Sequence, residues 1–242
     1  MALLSTLYFT LAGIENWRLL PPLWALVPLF TLFAFTKVPI YAIPGDDEET
    51  RLPKSIFRIK VFWILFFVMI CAGASEQGVS QWSSMFAEDG LKVSKTVGDL
   101  LGPCSFAFFM GLSRFLYGMK GESLNLIRSL KATSLLCILG YLVTSLSPIP
   151  LLSLAGCAIC GFSVGLMWPG TFSLGATYLR GGGTFMYAMF ALAGDVGCSA
   201  GPGVVGIISQ FTGKMNLGIL TAILFPVGML ILVSLLKRQK PA

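Results

Sequence analysis

Histidine is absent from these 242 residues, and acids are scarce, with Asp and Glu together numbering 11. A chain without histidine offers no histidine-ligated zinc centre, so zinc-protease chemistry is excluded. Charged residues of both signs make up 12% of the sequence, about half the share found in soluble domains. The start of the chain also lacks a basic stretch. Its first cation is Arg18, so the positive n-region of a secretory signal peptide is missing. Cysteines are few and dispersed: Cys71, Cys104, Cys137, Cys157, Cys160 and Cys198 all lie within apolar runs. The Cys157-x-x-Cys160 spacing has no second pair and no histidine to complete a metal or redox site. These cysteines read as small packing residues, and neither a metal nor another cofactor is expected.

What the chain has in abundance is apolar length. Hydrophobic residues are 55% of the total, and the mean hydropathy is +0.82. Eight apolar stretches run over about 1–14, 20–43, 61–82, 97–117, 128–147, 149–170, 184–208 and 215–236. A helix crossing ~30 Å of hydrocarbon needs about 20 such residues. Only helices and closed barrels satisfy their backbone in lipid, and a barrel would alternate polar and apolar residues in segments of about ten. The runs are continuous, so they predict transmembrane helices. The net charge of +6 is spread along the flanks of these runs instead of forming a basic domain, so no nucleic-acid partner is expected. The partner is the lipid bilayer.

The cations also orient the chain. Lys37, Arg51, Lys54, Arg58, Lys60, Arg114, Lys120, Arg128, Lys131, Arg180, Lys237, Arg238 and Lys240 fall on one side of the alternating spans, against Arg18, Lys92, Lys95 and Lys214 on the other. The excess marks the cytoplasmic side, which predicts a multi-pass protein of the plasma or inner membrane with a cytoplasmic C-terminus. One long polar connection, from Pro44 to Lys54, reads as a linker between two bundles. The six spans after it divide three and three at the turn Ser147-Pro148-Ile149-Pro150, the arrangement of inverted-repeat secondary transporters.

Ionisable residues within a span are costly and mark functional candidates. Glu76 stands in the third span and Asp195 in the seventh. An advance of ~100° per residue puts Glu76, Gln77, Ser80, Gln81 and Ser84 on one stripe, with Trp82 pointing elsewhere. That stripe predicts a helix facing a watery cavity, against the simpler reading that Glu76 lies at the interface and snorkels. Trp82 reads as an interface anchor. The same construction lines up Thr184, Tyr187, Ala188, Ala191, Asp195, Ser199 and Pro202. Asp195 is then either a substrate or proton site or half of a structural ion pair. The Gly197-x-x-x-Gly201 spacing suits close helix packing, and Gly201-Pro202-Gly203 is a candidate hinge. Arg114, the one cation well inside a span, is read as pairing with Asp195 or touching the loop 118–122. Gly161, Gly165, Trp168 and Phe172 share a face across Pro169, which reads as an aromatic shelf for a sugar ring or as packing.

Three segments carry a family resemblance: Gly73-Ala-Ser-Glu76-Gln-Gly-Val-Ser-Gln-Trp82, Ser113-Arg114-Phe115-Leu116-Tyr117-Gly118 and Trp168-Pro169-Gly170-Thr171-Phe172-Ser173-Leu174. They resemble the seventh, eighth and tenth helices of major facilitator superfamily transporters, and within them the fucose-permease-like sugar branch. The resemblance implies an all-α polytopic fold of two six-helix bundles around a central substrate cavity. On that map this chain supplies the last two helices of the N-terminal bundle (1–44), the central cytoplasmic linker (45–60) and the six-helix C-terminal bundle (61–242), with helices one to four missing. Phe115 and Leu116 stand where the family motif has an acid and a base, so the gating role of that acid does not carry over.

The function this implies is alternating-access secondary transport of a small polar solute, a sugar or related metabolite, with protons as coupling ion. Glu76 and Asp195 would serve proton coupling. Gln77, Ser80, Gln81, Trp168, Phe172 and Tyr187 would bind the solute, and Arg114 and Pro202 would act in gating. The rival reading is a non-transporting membrane fragment of such a protein. An intramembrane aspartyl protease is excluded, because Leu192 stands in place of the glycine expected before Gly194-Asp195 and no second aspartate occupies another span. No enzymatic activity is expected.

Overall fold

The computed structural model describes Tyr8 and residues 17–39, 56–179 and 181–236. Every regular element among them is helical, in agreement with the all-α reading. The chain forms two compact units, Met1–Glu49 and Thr50–Ala242. The expected first span, most of the linker, Arg180 and the basic C-terminal residues lie outside the described residues.

In the first unit a single turn at Trp17–Leu19 leads into α1, Leu20–Phe35. Pro21 and Pro22 occupy its first turn, where a missing N–H costs nothing. None of its residues is buried, and Phe30 is 76% exposed. A helix apolar on every side is suited to a bilayer. It ends before the expected boundary of 43. Lys37 donates to the Ala34 carbonyl at 3.1 Å, and the Thr36 hydroxyl donates to Phe33 at 2.7 Å, which closes the helix with a tight turn. Residues 40–43 are outside the described set.

The second unit contains six helices long and apolar enough to cross a membrane: α2 (Lys60–Gly90), α3 (Lys95–Lys120), α4 (Leu126–Leu146), α5 (Pro150–Tyr178), α6 (Gly183–Thr212) and α7 (Met215–Leu236). They are the six spans expected after the linker, but two run well past the apolar runs, to Gly90 and to Tyr178. The expected sixth span stops at 170, whereas α5 turns at Gly165–Leu166 and restarts over Met167–Tyr178. Pro169 is the third residue of that restart, a position where no backbone N–H is needed. The proline therefore continues the span instead of ending it, and Pro226 occupies the same position in the second half of α7. The expected third span stops at 82, whereas α2 steps through a turn at Gln81–Trp82 and finishes in a wide turn over Phe86–Gly90. Leu91 closes it with a 3.0 Å bond to the Phe86 carbonyl.

The helix ends carry their own stop signals. Asn125 caps α4, its side chain accepting from the Arg128 N–H at 3.1 Å, the usual role of an N-cap amide. Gly213 follows α6 at φ +67°, the left-handed conformation that glycine adopts without strain.

Close backbone contact holds the bundle together. A Cβ on Gly73 would lie 2.2 Å from the Gly194 carbonyl, one on Gly197 2.1 Å from that of Ile70, and one on Gly201 2.4 Å from that of Ala74. The Gly197–Gly201 pair is thus spent on packing α6 against α2, as small residues are in membrane bundles. Gly161 and Gly165 meet Phe106 and Met110 of α3 in the same way. They belong to a helix contact and not to the aromatic shelf. The turn at Gly165–Leu166 interrupts α5 between Gly161 and Trp168, so these residues do not share one continuous helix face. Cys137, Cys157 and Cys160 are fully buried free thiols, packing between α4 and α5. A buried bond of 2.9 Å from Tyr141 to the Ser75 carbonyl ties α4 to α2.

Candidate functional site

The polar stripe of α2 faces α3 and open space beside it. Arg114 places Nη2 3.5 Å from Oε2 of Glu76, and the two side chains are 45% and 13% exposed. Arg114 therefore pairs with Glu76. The expected partnership with Asp195 is not formed, because helix-face arithmetic assigns a residue to a side of its own helix without saying which helix lies opposite. Asp195 is instead exposed, in no ion pair among the described residues. Its backbone carbonyl accepts a 3.2 Å bond from Ser199. The Glu122 side chain, in the loop that was the other candidate for Arg114, is outside the described set.

Further along the stripe, Gln81 donates to the Gln77 amide oxygen at 3.3 Å, leaving each amide donors and acceptors to spare. Ser80 is half-buried beside them. Ser84 donates to Asp99 at the start of α3, which removes that hydroxyl from the candidate surface.

The aromatic residues form a connected ladder. Trp168 and Phe172 of α5 lie with ring centroids 6.3 Å apart, and Phe172 reaches Tyr187 of α6 at 5.8 Å. Trp168 rests directly on Gly194, where a Cβ would fall 2.3 Å from the ring. This stacks the indole over the residue before Asp195. The indole Nε1 of Trp168 is buried with no hydrogen-bond partner among the described residues. One turn away, Tyr117 of α3 and Ser173 of α5 share a 2.8 Å hydrogen bond. Tyr187 itself is exposed, so the ladder runs from the α5–α6 contact out to an open face.

Trp82 ties α2 to α6. Its Nε1 donates to the Pro202 carbonyl at 3.0 Å, and its ring packs over Gly206. Both Trp82 and Pro202 line a cavity of about 1050 Å³ at the end of the bundle where α2 finishes, α4 meets α5 and α6 meets α7. Glu76, Gln77, Ser80, Gln81, Arg114, Trp168, Phe172, Tyr187 and Asp195 lie outside that cavity. It is walled by Asp89, Gln210, Lys214 and Asn216 among others, residues that the sequence presents only as connecting loops and helix ends. Among the described residues no cluster of metal-ligating side chains occurs.

The second unit thus combines six helices long and apolar enough to cross a membrane with an acid–base pair, a polar stripe and an aromatic ladder across neighbouring helices. The Major Facilitator Superfamily family model matches residues 1–202, and the chain belongs to that superfamily. Among solved structures it is similar to a point variant of the E. coli fucose:proton symporter FucP, with a TM-score of 0.71 and 14% identity over 88% of this chain and 53% of that one. At that identity the likeness establishes the fold. The chain spans about half the length of that symporter. No curated protein matches at a significant level.

Proposed function

We propose that this chain forms the solute-handling part of a secondary transporter for a small polar solute, a sugar or related metabolite, coupled to protons. The observation that carries the reading is the Glu76–Arg114 pair, a carboxylate 13% exposed in mid-span that meets its cation on a neighbouring helix at 3.5 Å. A buried carboxylate with a single, half-exposed counter-charge can exchange that partner for a proton with little rearrangement, because protonation removes the charge whose burial is unfavourable. Gln77 and Gln81 supply adaptable amides beside it, and Ser80 a hydroxyl. Trp168, Phe172 and Tyr187 supply flat apolar surface of the kind that covers the C–H face of a sugar ring. Asp195, exposed and in no ion pair among the described residues, is the second acid for coupling. Pro202 withholds the N–H that would bond the Cys198 carbonyl and so weakens α6 where it passes α2, a place for gating movement.

In the same reading, residues 1–44, 45–60 and 61–242 are the end of an N-terminal bundle, the cytoplasmic linker and the C-terminal bundle, with the C-terminus cytoplasmic. The transport activity is assigned to the transporter as a whole, in which an N-terminal half would complete the cavity. The fucose:proton symporter named among the similar structures supports sugar and proton as the classes to try first. The test is uptake into proteoliposomes under an imposed proton gradient, across a panel of sugars, with Glu76→Gln as the diagnostic variant. Glu76→Gln is expected to abolish gradient-driven accumulation while sparing solute exchange at equal pH. Unchanged gradient-driven accumulation in that variant would falsify the coupling role.

A further inference from the structure

The cavity at the end of the bundle shares only Pro202 with the transport residues proposed above, and its chemistry differs from theirs. Asp89, at the end of α2, and Lys214, in the turn between α6 and α7, both line it. Neither is in an ion pair among the described residues, although the adjacent Glu88 has taken Lys95 at 2.9 Å. One acid and one base, both exposed, therefore border a common open space without pairing with each other. Trp82, Met85 and Met215 give the same space an apolar wall. Its volume of about 1050 Å³ lies just above the ~300–1,000 Å³ range of small-molecule sites.

These features select among ligands. A simple anion would be opposed by Asp89, and a simple cation by Lys214. A neutral solute filling the cavity would strip water from both charges and return nothing to either. A zwitterion compensates both at once, and an apolar arm on it gains by covering Trp82 and the exposed Met85.

We propose that this cavity is a second ligand site that binds a zwitterion bearing an apolar arm. The ammonium end meets the Asp89 carboxylate, the anionic end meets the Lys214 ammonium, and the arm lies against Trp82 and Met85. A free α-amino acid with an apolar side chain and a zwitterionic lipid headgroup share this chemistry. Either occupant touches both partners of the Trp82–Pro202 bond.

Calorimetric titration of the purified full chain in lipid-free detergent tests the site. The probes are L-phenylalanine and short-chain phosphatidylethanolamine, with phenethylamine and hydrocinnamate as single-charge controls. A zwitterion is expected to bind about tenfold or more tightly than either control, and Asp89→Asn and Lys214→Gln are each expected to weaken it by about tenfold, the scale of one charge-assisted contact. Response to L-phenylalanine assigns a free solute, and response to phosphatidylethanolamine alone assigns a lipid. Absence of zwitterion binding, equal binding of a single-charge control, or unchanged affinity in either variant overturns the proposal. The readout is binding and not transport, and Glu76→Gln is expected to leave it unaltered. A failure of the coupling reading therefore stays distinguishable from a failure of this one.

Discussion

Glu76 and Arg114 meet across α2 and α3 at 3.5 Å with unequal shares of solvent, 13% exposed for the acid and 45% for the base. That asymmetry predicts unequal costs for breaking the pair. In Glu76→Gln the arginine keeps its access to solvent and the new amide can still accept a hydrogen bond. In Arg114→Gln a nearly buried carboxylate loses its counter-charge. Discounting for the exposed arginine, Arg114→Gln should destabilise by ~1–3 kcal/mol and Glu76→Gln by less than half of that. The double variant should recover most of the loss. Thermal unfolding of the three variants in detergent checks this, and an Arg114→Gln no less stable than Glu76→Gln would sink it.

The α2–α6 seam gives a second prediction with an internal control. A Cβ on Gly197 would sit 2.1 Å from the Ile70 carbonyl oxygen, whereas one on Gly203 has nothing within 4 Å. Gly197→Ala must push two backbones apart and should cost ~1–3 kcal/mol, the usual cost of overpacking. Gly203→Ala lies in the same helix and should be neutral or stabilising by up to ~1 kcal/mol through helix propensity alone. If the two variants unfold at the same temperature, the seam is not the contact described.

How much of the structure is legible in the sequence depends on whether a feature is local. The six long helices arise from runs of apolar residues, which is a one-dimensional property. The small-residue spacing Gly197-x-x-x-Gly201 is equally local and packs as expected. The length of α5 is not legible, because the apolar run ends at 170 and nothing local shows that the helix restarts at Met167 and continues to Tyr178. The same restart undoes the grouping of Gly161 and Gly165 with Trp168. The partner of Arg114 is hidden because Glu76 lies 38 residues away, and the choice between two intramembrane acids depends on which helices are neighbours. The end cavity leaves the weakest signal of all. Asp89 and Lys214 each look like ordinary solvated loop charges until the helix ends bring them to one space.

The aromatic ladder predicts a separation between ring and hydroxyl. Tyr187 stacks on Phe172 at 5.8 Å and is exposed at the open end of the ladder. If it serves as a platform for a solute ring, Tyr187→Phe should keep uptake near the parent value. Tyr187→Ala should raise the apparent KM by about tenfold, the worth of ~1.4 kcal/mol of lost contact, with little change in kcat. Equal loss in both variants would assign the effect to the hydroxyl instead.

Trp82 supplies the last prediction, since its ring and its N–H do separate things. The ring packs over Gly206, while Nε1 holds the Pro202 carbonyl at 3.0 Å. Trp82→Phe keeps an aromatic ring there and removes the donor, so it should cost ~0.5–1.5 kcal/mol, one neutral hydrogen bond. Because the bond joins α2 to the proline-weakened part of α6, the loss should also appear locally. Amide exchange within Val204–Gln210 should quicken, while the Asn125-capped start of α4 stays as protected as in the parent. A uniform increase across the bundle would mean that the bond contributes only to global stability. Exchange confined to α6 would mean that it latches the helix where movement is easiest.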